Sequence, residues 1–159
     1  MDIKFFADLY STTPLGIYFT LTYISIINTR IDEFKFCLYL ILANYIVSKI
    51  KRLPYPKSLY QITRRPIGSN NCDYLSRNGP QSEDAPGFPS GHMTTIAFFS
   101  TYQILQNAQP SLYFKGTHIL LVLIMGWARY YKKCHNMVQI SVGTFFGISC
   151  GYIYKHYIS

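Results

Sequence analysis

Charge is what this chain has least of. Only 14% of its 159 residues are Asp, Glu, Lys or Arg, against about 25% in ordinary soluble domains. So little charge cannot clothe a small globule, whose surface is large relative to its volume. Acids are the scarcer sign, 7 against 15 Lys and Arg, which leaves a net charge of +8. That balance suits an anionic partner, either a membrane surface or a phosphate-bearing substrate. Disorder is excluded, because it needs high charge and few aromatics, and aromatics reach 17% here. Cysteine is sparse too: the four residues have none of the spacing of a zinc site. The sequence has no Asn-x-Ser/Thr sequon, internal repeat or low-complexity segment. A cleavable signal is not convincing either, since Asp2, Lys4 and Asp8 give the start no positive bias. At this length one domain, 1–159, is the expectation.

The absences have positions. No Asp, Glu, Lys or Arg occurs from Leu9 to Thr29, Phe36 to Ser48, Ala85 to Phe114, Gly116 to Ala128 or Cys134 to Tyr154. Each gap is rich in Ile, Leu, Phe and Tyr. A membrane-spanning helix needs about 20 mostly apolar residues. The first and last gaps reach that length directly. The two short ones reach it if Lys35, Lys49, Lys115 and Arg129 snorkel or face a wet cavity. The expected fold is therefore an all-α membrane bundle with spans near 11–29, 33–50, 91–109, 115–132 and 136–154. A soluble helical protein with buried helices is the alternative.

Between the second and third spans lies the one long polar stretch, Lys51 to Pro89. Its six prolines forbid a long helix, and a loop of this size in a small protein is usually functional. Tracing the chain through five spans puts this loop and the segment Arg129 to His135 on one membrane face. Eleven of the 15 cations fall there, against Arg30, Lys35, Lys115 and Lys155 on the other. The positive-inside rule would make the rich face cytoplasmic; an anion site accounts for the same crowding.

Three constellations on that face carry chemistry. In Pro89-Ser90-Gly91-His92, Ser90 can cap a helix and Gly91 lets a backbone N–H approach a ligand. The helix N-terminus suits phosphate, and His92 could give a proton to a leaving oxygen. A capped helix with an incidental His is the bland alternative. In the second, Arg129 precedes His135 by six residues, so a guanidinium and an imidazole can meet one anion. Gln139 lies one helical turn after His135. Its carbonyl could accept from Nδ1 and leave Nε2 free to attack. The third is Arg64-Arg65-Pro66, with forks suited to phosphate oxygens. Taken alone it is ordinary.

In order and spacing these residues resemble the type 2 phosphatidic acid phosphatase superfamily, integral membrane phosphatases of lipid phosphates. The family pattern is Lys-x6-Arg-Pro, Pro-Ser-Gly-His, then Ser-Arg-x5-His-x3-Asp. Residues 89–92 match the middle motif in full, and Arg129 and His135 match the third; the likeness covers roughly 40–150. It implies hydrolysis of a lipid phosphate or diphosphate, phosphatidic acid-like or polyprenyl, with no metal or cofactor. His135 would be the nucleophile and form a phosphohistidine, His92 the acid and then the base, and Gln139 the orienting residue. Lys57, Arg65, Ser90, Gly91 and Arg129 would hold the phosphate. The implied partners are that substrate and membrane lipids, not nucleic acid. The implied location is multi-pass in the endoplasmic reticulum or another endomembrane, with the side of the site left open.

The departures are specific. Lys57 lies one residue too far from Arg65 for the family spacing, and Lys49 would require an insertion. Ala128 stands where Ser is usual. Gln139 replaces an Asp, which resembles the dolichyl diphosphate phosphatase branch. These changes leave a second reading, an impaired relative that binds or scrambles anionic lipids. From the roles alone, Gln139→Asp is expected to keep or raise activity. Four unpaired thiols are the expectation, with a Cys72–Cys134 disulfide if the active face is oxidising. His118 is expected to pack within its span.

Overall fold

The computed structural model describes residues 3–28, 31–69, 72 and 85–159. Seven helices make up the described chain: α1 Ile3–Ser11, α2 Thr13–Asn28, α3 Ile31–Lys51, the single turn α4 Tyr60–Thr63, α5 Gly91–Gln106, α6 Leu112–Tyr131 and α7 Met137–Tyr157. No strand occurs among the described residues; the one β-type contact is an isolated bridge between Arg64 and Pro86. The expected all-α class therefore holds.

Local chemistry explains where the helices begin. Ser111 accepts a hydrogen bond from the Phe114 amide at the start of α6. Asn136 caps α7 in a reciprocal box with Gln139, which satisfies two otherwise orphaned donors. Helix α3 opens on Asp32 and Glu33 and closes on Lys49 and Lys51, the arrangement its dipole favours.

Packing centres on α5, which lies against α7, α6 and α3. Phe36 of α3 stacks on Tyr102 of α5, ring centroids 4.2 Å apart, and meets Phe98 and Tyr154 edge-on. Gly143, Gly147 and Gly151 recur one turn apart on α7 and face α5. A Cβ on Gly147 would lie 2.9 Å from the Ala97 Cβ and 3.0 Å from the Phe98 nitrogen. Only a stripe of bare backbone permits this approach. It fixes the relative height of α5 and α7, and so of the histidines near their N-terminal ends. A polar node pins α3 to α2 and α5: the Asn44 amide donates to the Tyr18 hydroxyl at 2.8 Å and to Thr95 Oγ1 at 2.8 Å.

Helices occupy all five stretches expected to span. Among the described residues one of them, α7, is both long and apolar enough to cross a membrane. Helices α2 and α5 have 16 residues each, about 24 Å at 1.5 Å per residue, short of a hydrocarbon core of about 30 Å. Helices α3 and α6 have the length but carry charges at their ends. Cys72 and Cys134 form a disulfide, Cα–Cα 5.3 Å, which corrects the expectation of four unpaired thiols; Cys37 and Cys150 remain thiols. His118 packs between the rings of Phe114 and Phe99.

Candidate active site

The site gathers where α5 and α7 begin and α6 ends. The five-residue spacer between Arg129 and His135 has a structural reason. After Tyr131 the chain turns back through Lys133, whose φ of 53° lies in the left-handed region. The amides of Cys134 and His135 then both donate to the Arg129 carbonyl, at 3.0 and 3.3 Å. This closed turn buries the Arg129 and His135 side chains side by side, with 0% and 1% of their surface exposed.

Gln139 sits one turn later, fully buried. Its Oε1 lies 3.0 Å from His135 Nδ1 and accepts from the Asn136 amide at 3.3 Å. An amide oxygen only accepts, so Nδ1 carries the hydrogen and Nε2 keeps its lone pair. The other end of the same amide donates to the carbonyls of Ile62 and Arg64, at 2.7 and 2.6 Å. Gln139 thus ties the histidine turn to the loop that carries Arg65. A carboxylate could serve the histidine but has no hydrogen for these two carbonyls. The geometry reverses the expectation that Gln139→Asp would be harmless. Gly87 completes the fit, because a Cβ there would fall 2.7 Å from both Gln139 heteroatoms.

The two ends of the long loop are zipped together. The Arg65 amide donates to the Ala85 carbonyl at 2.9 Å and the Gly87 amide to the Thr63 carbonyl at 2.8 Å. This holds the buried Arg65 against the start of α5. There the Ser90 amide donates to the Gln139 carbonyl at 3.1 Å. The Ser90 hydroxyl is fully buried and has no hydrogen-bond partner among the described residues, a costly state that a bound oxyanion would relieve. Gly91 and His92 follow, partly buried at the first turn. Arg129 Nη2 donates to the Cys72 carbonyl and Nη1 to Ser11 Oγ at 3.3 Å.

The structure thus gathers Arg65, Ser90, Gly91, His92, Arg129, His135 and Gln139. It does not bring Lys57 to them: that residue is exposed on the short turn Lys57–Leu59. Lys51, at the end of α3, is the lysine whose field reaches both histidines, together with Arg129 and Arg65. In the sequence Lys51 stands only as the start of the long polar loop, one of the eleven cations on that face. Its nearness to the histidines depends on the fold of the segment between it and Arg65, which no spacing rule encodes. Burial, then Arg129, Lys51, Arg65 and His92, hold the His135 imidazole well below its ordinary 6.5. It is therefore neutral at physiological pH. Among the described residues no group of His, Cys, Asp or Glu could hold a metal ion.

The frame gathers two histidines, two buried arginines and the N-terminus of α5, whose N-cap Ser90 makes no side-chain capping bond. The chain belongs to the PAP2 superfamily: that family's model matches residues 32–159. No curated protein and no solved structure matches it. Membership implies phosphatase action on phosphate esters.

Proposed function

We propose that the protein hydrolyses the phosphate of a membrane lipid, a phosphatidic acid-like monophosphate or a polyprenyl-type diphosphate, without a metal and through a phosphohistidine. The observation that carries this reading is the neutral, buried His135, oriented by Gln139 beside Arg129. Burial and the charges of Arg129, Lys51 and Arg65 lower the His92 pKa; the phosphate dianion offsets those charges, so His92 takes up a proton as substrate binds. Nε2 of His135 attacks phosphorus as the bond to the leaving oxygen breaks, and protonated His92 gives that oxygen its proton. His92 then takes a proton from water, whose oxygen attacks the phosphohistidine and releases phosphate. Arg65, Arg129, Ser90 and the Gly91 amide hold the phosphate oxygens, with Lys51 in the part first expected of Lys57. Phosphoryl transfer is mainly positioning and charge neutralisation, and these fixed donors supply both.

A lipid substrate is supported by the outer surface. Phe19, Leu112, Tyr113, Leu123 and Phe145 are all more than half exposed, a display suited to acyl chains rather than water. In this reading the five long helices lie in a membrane, the short ones in a bilayer locally thinned or met by snorkelling ends. The Cys72–Cys134 disulfide supports an active face outside the cytosol, since such bonds persist in oxidising compartments.

The test is phosphate release in detergent with EDTA present, from phosphatidic acid, diacylglycerol pyrophosphate and polyprenyl diphosphate. Wild type should turn over at least one, and His135→Ala and His92→Ala should fall to background. Equal rates in all three proteins would rule out the phosphohistidine. No turnover of any substrate would favour the impaired, lipid-binding relative.

A further inference from the structure

The first helix lies outside the segment matched by the family, yet it reaches the site. Ser11, the last residue of α1, is buried. Its hydroxyl gives its hydrogen to the Ala7 carbonyl at 2.8 Å and accepts from Arg129 Nη1 at 3.3 Å. The backbone of the same residue lies near enough to the His92 imidazole to favour its protonated form. One turn earlier, Asp8 pairs with Lys132 at 2.7 Å, which clamps α1 onto the end of α6. Next to Arg129 stands Ala128, so the neighbouring position on α6 offers no hydroxyl.

We infer that Ser11 is a positioning residue, through which α1 sets the aim of the Arg129 guanidinium in the phosphate cradle. The physical argument is geometric. A guanidinium on a long side chain has several rotamers, and its planar fork serves an oxyanion only in the right plane. Two anchors on different elements, Ser11 Oγ on Nη1 and the Cys72 carbonyl on Nη2, fix that plane. Removing one anchor lets the fork swing. A misaligned fork weakens phosphate binding even when charge and fold are intact.

The inference rests on the phosphatase reading only in taking Arg129 as a phosphate ligand. It is tested on the full chain in detergent micelles by calorimetric titration with inorganic phosphate, alongside turnover and thermal unfolding. Ser11→Ala should weaken phosphate affinity roughly five- to tenfold, the scale of one ordinary hydrogen bond, because the effect on phosphate is indirect. Ser11→Thr, which keeps the hydroxyl, should stay within about twofold of wild type by the same reasoning. Asp8→Asn removes the clamp but no Arg129 contact, so it should lower the unfolding temperature and leave affinity alone. In turnover the Ser11→Ala loss should fall mainly on KM, with the pH profile unmoved, because the substitution leaves both histidines and the backbone in place. Wild-type affinity in Ser11→Ala, or an equal loss in Asp8→Asn, overturns the inference. So does a wild type that binds no phosphate. A wild type that binds phosphate but turns over no lipid removes the phosphatase reading and leaves the Ser11 comparison decisive.

Discussion

The side-chain oxygen of Gln139 lies 3.0 Å from Nδ1 of His135, while the nitrogen of the same amide spans the carbonyls of Ile62 and Arg64. One neutral side chain therefore orients the histidine and holds the arginine loop. An Asp would shorten the reach and take a donor from the carbonyls of Ile62 and Arg64. Gln139→Asp and Gln139→Glu should each cost about 1–3 kcal/mol of stability and lower phosphate release. Thermal unfolding and turnover of the two variants check this. Activity at or above wild type in either would show that the loop tie is dispensable.

The disulfide closes a separation of 62 residues and ends one position before His135. Cys72 also presents its carbonyl to Arg129. Reduction, or Cys72→Ser with Cys134→Ser, should remove about 2–4 kcal/mol and lower activity together with stability. Cys37→Ser should do neither beyond a small packing cost, since that thiol lies in the bundle core. Chemical denaturation with and without reductant, followed by assay, separates the two cases.

Stability should depend on pH through His135. Its pKa in the folded protein is depressed below the ordinary 6.5. Between those two values the unfolded chain binds a proton that the folded chain refuses, so stability rises with pH across the window. The contribution is whole above about 6.5 and is lost as pH falls towards the depressed value. His135→Gln should flatten that slope. Unfolding temperatures from pH 5 to 8 measure it, and an unchanged slope in the variant would assign the acid sensitivity elsewhere.

The α5–α7 contact should be intolerant of even one carbon. Gly147→Ala places a Cβ against the Thr94 carbonyl and within 3.0 Å of the Phe98 nitrogen. The helices must separate, at about 1–3 kcal/mol. Because both histidines ride on these helices' N-terminal ends, activity should fall more than stability alone accounts for. Gly16→Ala, where a Cβ meets nothing within 4 Å, is the matched control, and equal effects in the two would contradict the packing account.

Much of this was legible in the residues themselves. The charge-free gaps located the long helices to within a few positions, because apolar length is a local property. Pro89 to His92, Arg129, His135 and the turn to Gln139 were legible because their spacing is set by a helix turn or a single tight loop. The glycine stripe Gly143, Gly147, Gly151 was there to be read, but its meaning depends on which helix faces it. Lys57 was chosen over Lys49 by counting along the chain, and Lys51 was not weighed. Counting fails where an irregular loop, rather than a helix, sets the distance.

The amino-acid sequence alone determined the scarcity of charge, the helical class and the phosphate-seeking motifs, since each follows from composition or short-range periodicity. Only the tertiary structure decided the rest. It joined Cys72 to Cys134, turned Gln139 into a two-ended tie, brought the charge of Lys51 to bear on both histidines and brought Ser11 to Arg129 across 118 residues. These are contacts between distant segments, fixed by how the helices pack and not by any local preference of the residues that make them.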